Sequence, residues 1–108
     1  MINYEQFQQI ELRAATILAA KRVEGSEKLL RLRVSLGEGE PDRQILAGIG
    51  KRYTPEELVG KQIVIVANLE PRMLMGLESQ GMLLAADSPD GPVLLAPDRE
   101  VPSGAKIK

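Results

Sequence analysis

The chain has 108 residues, 14 Lys/Arg against 15 Asp/Glu, no cysteine and no histidine. Without cysteine there are no disulfides or thiolate metal sites, and without histidine the commonest neutral-pH acid–base catalyst and metal ligand is missing. This length suits one domain, 1–108, whose small core must be built from Val, Ile, Leu and Ala, because Tyr4, Phe7 and Tyr53 are the only aromatics.

In chain order, Asn3 is placed to cap a short helix over Tyr4–Gln9. A long apolar strand follows over Glu11–Val23, and its length calls for a bend at a bulge. Glu24-Gly25-Ser26-Glu27 is a turn. Leu30–Leu36 is the clearest strand: Leu30, Leu32, Val34 and Leu36 share one face, and Arg31, Arg33 and Ser35 share the other. Gly37–Asp42 has turn chemistry, and Gln44–Ile49 is the third strand. Thr54-Pro55-Glu56-Glu57 opens a helix that Gly60 stops within about two turns. Lys61–Ala67, with Ile63, Val64, Ile65 and Val66, predicts a strand buried on both sides. Asn68 to Gln80 is expected to be mostly loop. Gly81–Ala86 and Val93–Ala96 are further strands around a Ser88–Gly91 turn, and Val101–Lys108 holds a last short one.

Three strands, a helix, then a fourth strand and a closing fifth is the order of an OB-fold, a five-stranded all-β barrel, here with extra C-terminal strands; the pattern alone leaves other small barrels open. No apolar run approaches the length of a membrane span, and residues 1–12 do not have the apolar pattern of a signal peptide. The cysteine count suits a reducing cytoplasm.

Charge is unevenly spread. Residues 13–72 carry a net +3, and residues 1–12 and 73–108 carry −2 each. The basic groups concentrate in the middle although the sum is only −1, a mild bias that many proteins with no nucleic-acid partner share. Arg31 and Arg33 are either a solvated outer face or a platform for phosphates. Lys51-Arg52 poses the same choice at the rim of the barrel. Asn68 either bonds the backbone of the turn before Pro71 or pairs with a base edge or 2′-hydroxyl. Met73, Met75 and Met82 are either gap-filling residues or a contact surface. No metal-ligand spacing, phosphate-binding glycine loop or nucleophile–base pair is present, so neither a cofactor nor catalysis is expected.

Several phrases together resemble one family: Leu12-Arg13-Ala14, Val23-Glu24-Gly25-Ser26-Glu27-Lys28-Leu29-Leu30, Ala47-Gly48-Ile49, Tyr53 through Lys61, Ile65-Val66-Ala67-Asn68-Leu69, and Pro71-Arg72 through Ser79-Gln80-Gly81-Met82. The family is the tRNA-binding domain of the methionyl-tRNA synthetase C-terminus, with its free-standing relatives and the CsaA-like chaperones. The resemblance runs from about Tyr4 to Lys108. It implies an OB-fold, a homodimer formed through C-terminal additions, and non-catalytic tRNA binding that reads shape at the outer corner of the L. The motifs carry candidate RNA contacts onto Lys28, Asn68, Arg72, Ser79 and Met82. The charge reading adds Arg31, Arg33, Lys51 and Arg52, and the polar groups of the segment add Gln80. Met73 stands where many relatives have lysine, which removes a phosphate contact; Gln80, where many have glutamate, partly offsets it. The tail, about 90–108, is the expected dimerisation segment. The alternatives are a CsaA-like chaperone holding unfolded peptide near Met75 and Met82, and a dimerisation domain without an RNA role.

Overall fold

The computed structural model describes residues 1–108. Its architecture is organised around one long strand, β1 (Leu12–Arg22), which two neighbours share. The first half of β1 pairs antiparallel with β4 (Gln62–Val66), and the second half with β2 (Leu30–Ser35). The register shifts between Ile17 and Ala19, so Leu18 is the expected bulge. The extra residue bends β1 and lets one strand serve both sides of a barrel. β3 (Arg43–Ala47) adds to β2, and β7 (Met82–Leu83) adds to β4, giving the order β3-β2-β1-β4-β7.

The alternation read in β2 is observed: Leu30, Leu32 and Val34 are buried, and Arg31 and Arg33 are exposed. Leu30, Leu32 and Val34 join Ile17, Ile45, Ile49, Ile63 and Ile65 in the core. Leu58, from the short helix α2 (Pro55–Leu58), is fully buried and plugs the barrel. Glu57 accepts from the Thr54 N–H and hydroxyl and fixes the first turn of α2. These bonds hold its carboxyl below the usual carboxylate range. At the N-terminus, α1 (Tyr4–Gln8) carries a reciprocal Asn3–Gln6 capping box and buries none of its own residues.

Asn68–Gln80 departs from the expected loop. β5 (Arg72–Leu74) and β6 (Leu77–Ser79) form a hairpin with Met75-Gly76 at its tip. Both tip residues have positive φ, 49° and 79°, which matches the right-handed twist of a tight hairpin. The hairpin leans on β3, and there the barrel closes without a ladder. The Ser79 hydroxyl accepts from Leu46 N–H at 3.0 Å and donates to the Gly81 carbonyl at 2.9 Å. The Gln80 side-chain carbonyl accepts from Gln44 N–H at 2.9 Å. Gln80 N–H donates to the Gln44 carbonyl at 2.7 Å. Side chains thus stand in for strand neighbours that β3 lacks.

The C-terminal additions are present. β8 (Ala85–Ala86) pairs with β9 (Val93–Leu94), and β10 (Lys106–Ile107) pairs with the start of β1. Tyr53 holds β9 by accepting from Leu94 N–H. Arg13 holds the tail: its guanidinium donates to the Gly104 carbonyl at 2.9 Å and to both oxygens of Glu40 at 2.9 and 2.5 Å. The Arg13 hydrogen bond pulls the Glu40 carboxyl below its usual range, and Glu40 in turn raises Arg13.

A depressed carboxylate contributes stability above its unfolded pKa and loses it as pH falls through the folded value. Protection of the Gly104 amide, which donates to Ala14, should therefore fall more steeply than that of Leu32 below about pH 4. In Glu40→Gln that extra pH dependence should disappear. Native-state hydrogen exchange at both amides is the check.

Candidate nucleic-acid interface

The polar residues singled out in the sequence separate into clasps and free groups. Ser79 is 4% exposed, and both functions of its hydroxyl are spent on the barrel seam. Gln80 is half-buried and committed to Gln44 through both main chain and side chain. The Ser79 hydroxyl is thus fully taken up by the barrel, whereas Gln80 gives up its side-chain carbonyl and its amide nitrogen makes no hydrogen bond within the fold. Asn68 is exposed, yet its amide accepts from Glu11 N–H at 2.9 Å and donates to the Gln9 carbonyl at 2.7 Å. Its partners are not the turn before Pro71 but the chain between α1 and β1. It ties the N-terminal helix to the end of β4.

The cations remain, and the fold collects them in two places. On the outer face of β2, Arg31 stands directly opposite Lys21 of β1, and Arg33 stands opposite Gln44 of β3. Arg33 has an exposed partner in Asp42 at 3.6 Å, whereas Arg31 and Lys21 have no ion pair. Like charges directly opposite on a sheet repel, so this pair costs the folded chain stability. The second group rings the loop after β3. The Lys28 stem lies across Gly48, where a Cβ would stand 2.7 Å from Lys28 Cε. Arg22 donates to the Gly50 carbonyl at 2.9 Å, and Gly50 N–H donates to the Lys28 carbonyl at 2.7 Å. Lys51 follows Gly50 and is exposed. Arg52 turns away, donating to the Asp90 carbonyl at 3.0 Å.

Arg72 is exposed on β5 opposite Ser79 and makes no ion pair. Met82 is half exposed on β7 opposite Val66. Met73 is 62% exposed, so all three downstream methionines face solvent rather than the core. Two hollows meet at Lys21 and Arg31. One, of about 240 Å³, continues past Arg33 to Gln44 and Gln80. The other, of about 320 Å³, runs under Met75 and Leu77.

Sequence reasoning missed Lys21 and Arg22. The bulge at Leu18 breaks the alternation of β1, so the facing of 21 and 22 emerges only from the register. It also missed Arg43. This half-buried side chain donates to the Ala67 and Gln80 carbonyls and pins the end of β4 to the seam. No spacing in the sequence announces a bond to a carbonyl 24 residues away.

Ser79→Ala should strand the buried Leu46 N–H and cost about 1–3 kcal/mol. In a domain of this size each kcal/mol lowers Tm by roughly 4–8 °C. Asn68→Ala should leave the barrel Tm nearly unchanged and raise exchange at the Glu11 amide. Calorimetry and amide exchange on the two variants check both outcomes.

Comparison with known proteins agrees with this geometry. Residues 12–106 match the family model described as "Putative tRNA binding domain". A methionine--tRNA ligase of Methanothrix thermoacetophila is 56% identical over 108 residues, and one of Thermotoga maritima is 55% identical over 106. These matches cover 100% and 98% of this chain but only 16% of either ligase, so the chain spans about one sixth of the length of these relatives. Among solved structures, a MetRS-related protein from Pyrococcus horikoshii superposes with a TM-score of 0.91 at 34% identity, covering 100% of this chain and 98% of that one. The chaperone CsaA of Bacillus anthracis superposes equally well, TM-score 0.91 at 37% identity, covering 100% and 99%. The barrel with its short helix is thus the OB-like fold of these proteins, and the chain belongs to the tRNA-binding domain family.

Proposed function

We propose that residues 1–108 act as one non-catalytic, structure-specific tRNA-binding module, working in the cytoplasm as a homodimer. It is either free-standing or the C-terminal part of a methionyl-tRNA synthetase. The observation that carries this reading is the unpaired Lys21–Arg31 pair on the outer face of the barrel, with Arg33 beside it on β2. Opposed cations without an ion pair are relieved by an anion, and a row of phosphates supplies one. Lys28, Arg22 and Lys51 extend the positive surface around the Gly48–Gly50 loop. Phosphate contacts set position, and a folded RNA is then distinguished by shape.

A chain of net charge −1 binds RNA weakly alone. Two copies on one tRNA, or one copy tethered to a synthetase, gain effective concentration. The face available for a second copy is half apolar: Tyr4, Phe7 and Ile10 of the α1 region and Ile107 of β10 line a shared hollow of about 490 Å³, with Glu11, Lys106 and Lys108 on its polar side. A five-residue helix with no buried residue has little to hold it in isolation. A second copy packed there would order it and bury these side chains. The tail, about 90–108, contributes Ile107 to that face, and the helix adds what the tail lacks.

Peptide binding is the second reading. It is favoured by the exposure of Met73, Met75 and Met82 and by the likeness to the Bacillus chaperone.

tRNA binding by fluorescence anisotropy at about 50 and about 200 mM salt tests the proposal, because each phosphate contact contributes a slope of about 0.7–0.9 in log K against log salt. Native protein should bind tRNA with a steep salt dependence and little competition from unfolded peptide. Arg31→Gln should lower that slope by about one contact. Failure to bind tRNA at low salt, with peptide bound instead, would move the chain to the chaperone reading. Phe7→Glu should yield a monomer by light scattering with weakened tRNA affinity. Unchanged affinity in that monomer would remove dimerisation from the mechanism.

A further inference from the structure

The hairpin tip holds a conformation that its sequence does not favour. In the Leu74-Met75-Gly76-Leu77 turn, Met75 has φ 49°, the one non-glycine residue of the chain in the left-handed region. Asn-Gly is the ordinary pair for such a turn, since the first position needs a residue that tolerates positive φ. A flexible apolar side chain here costs the fold stability and is still 57% exposed. It spans a gap: its methyl carbon stands 3.5 Å from where a Cβ at Gly25 would lie. The thioether thus reaches from the hairpin to the turn after β1.

Beneath it is the cleft of about 320 Å³, at the small end of ligand pockets. Its apolar side is Met75 and half-buried Leu77. Its charged side is Lys21 and Arg31, cross-strand neighbours without ion pairs, next to Arg22, which is bonded to the Gly50 carbonyl. Glu24 is the one carboxylate on the lining.

We propose that this cleft is a nucleotide subsite, taking one unstacked base against the Met75 thioether with its phosphate between Lys21 and Arg31. Sulfur against an aromatic ring is a favourable contact, and base contacts of this kind tolerate any base. The phosphate neutralises a repulsion that the empty barrel carries. Glu24 is placed at the rim as an acceptor for an exocyclic amine or a 2′-hydroxyl. A base inside a regular duplex has both faces covered and cannot enter, so the cleft selects RNA with an extruded nucleotide, as at the bends and loops of a folded tRNA. This inference rests on the tRNA-binding reading and names the feature of the RNA that the site takes.

The chain has 4 methionines, so methyl-labelled methionine gives a sparse NMR spectrum in which Met75→Asn identifies the Met75 signal. On addition of tRNA, the Met75 methyl should move upfield under the ring current of the base. A blunt RNA duplex of similar charge should leave it in place. Met75→Asn should raise Tm in the absence of RNA. It should also weaken tRNA binding by about fivefold or more without changing the salt slope, as expected for loss of one stacked base. Lys21→Gln should instead lower the slope by about 0.7–0.9. Native binding that persists unweakened in Met75→Asn, or a Met75 methyl indifferent to bound tRNA, overturns the subsite and leaves the tRNA reading intact. A native protein that binds no tRNA overturns both. A methyl that moves with unfolded peptide and not with tRNA gives the cleft to peptides.

Discussion

The barrel depends on a seam made of side chains. β3 and the segment leading into β7 do not exchange a regular ladder; Ser79, Gln80 and Arg43 supply the bonds a ladder would have made. A buried backbone N–H left unpaired costs as much as several good contacts return, so Leu46 and Gln44 need those partners. Everything on the outer face follows from this closure. It fixes where the β5–β6 hairpin hangs, and the hairpin in turn forms one wall of the cleft whose other wall is β1 and β2. The polar groups nearest that cleft are therefore structural, whereas Lys21 and Arg31 make no ion pair and the methionines are exposed.

That division explains how a chain with a net negative charge can present a cationic surface. Apart from Glu5 of α1, Glu11 and Glu78 of β6, the acids lie in turns, in the first turn of α2 and in the tail, while Lys21, Arg31 and Arg33 are set side by side by strand register. Register is a stronger lever than total charge, because neighbours across a sheet are within about 5.5 Å whatever the rest of the chain carries. The same ladder that pays for β1–β2 pairing through the buried Leu30, Leu32 and Val34 forces the cations together on the opposite side.

Much of this was legible in the sequence. The β2 alternation, the proline-led helix, the run Ile63–Val66 and the bulge in β1 all express local rules, and local rules survive folding. The hairpin was hidden because its strands are three residues each and its turn carries Met75 where asparagine would have announced it. Ser79, Gln80 and Asn68 have structural partners that were hidden for a different reason. Their hydrogen-bond capacity suits a ligand and a distant backbone amide equally well, and only the fold reveals that Leu46, Gln44, Gln9 and Glu11 take it up. Lys21 was overlooked because facing on β1 cannot be counted through an inserted residue.

Gly81 limits what the hairpin can do. Its φ is 134°, and a Cβ there would lie 2.9 Å from the Val66 carbonyl oxygen and 3.1 Å from Ile45 Cδ1. The chain returns from the hairpin into β7 through a passage that only glycine fits, with the Ser79 and Gln80 bonds immediately before it. The hairpin and the barrel are thereby locked into one body. A guest entering beneath Met75 meets walls already in position, so the entropy of ordering falls on the guest rather than on the protein.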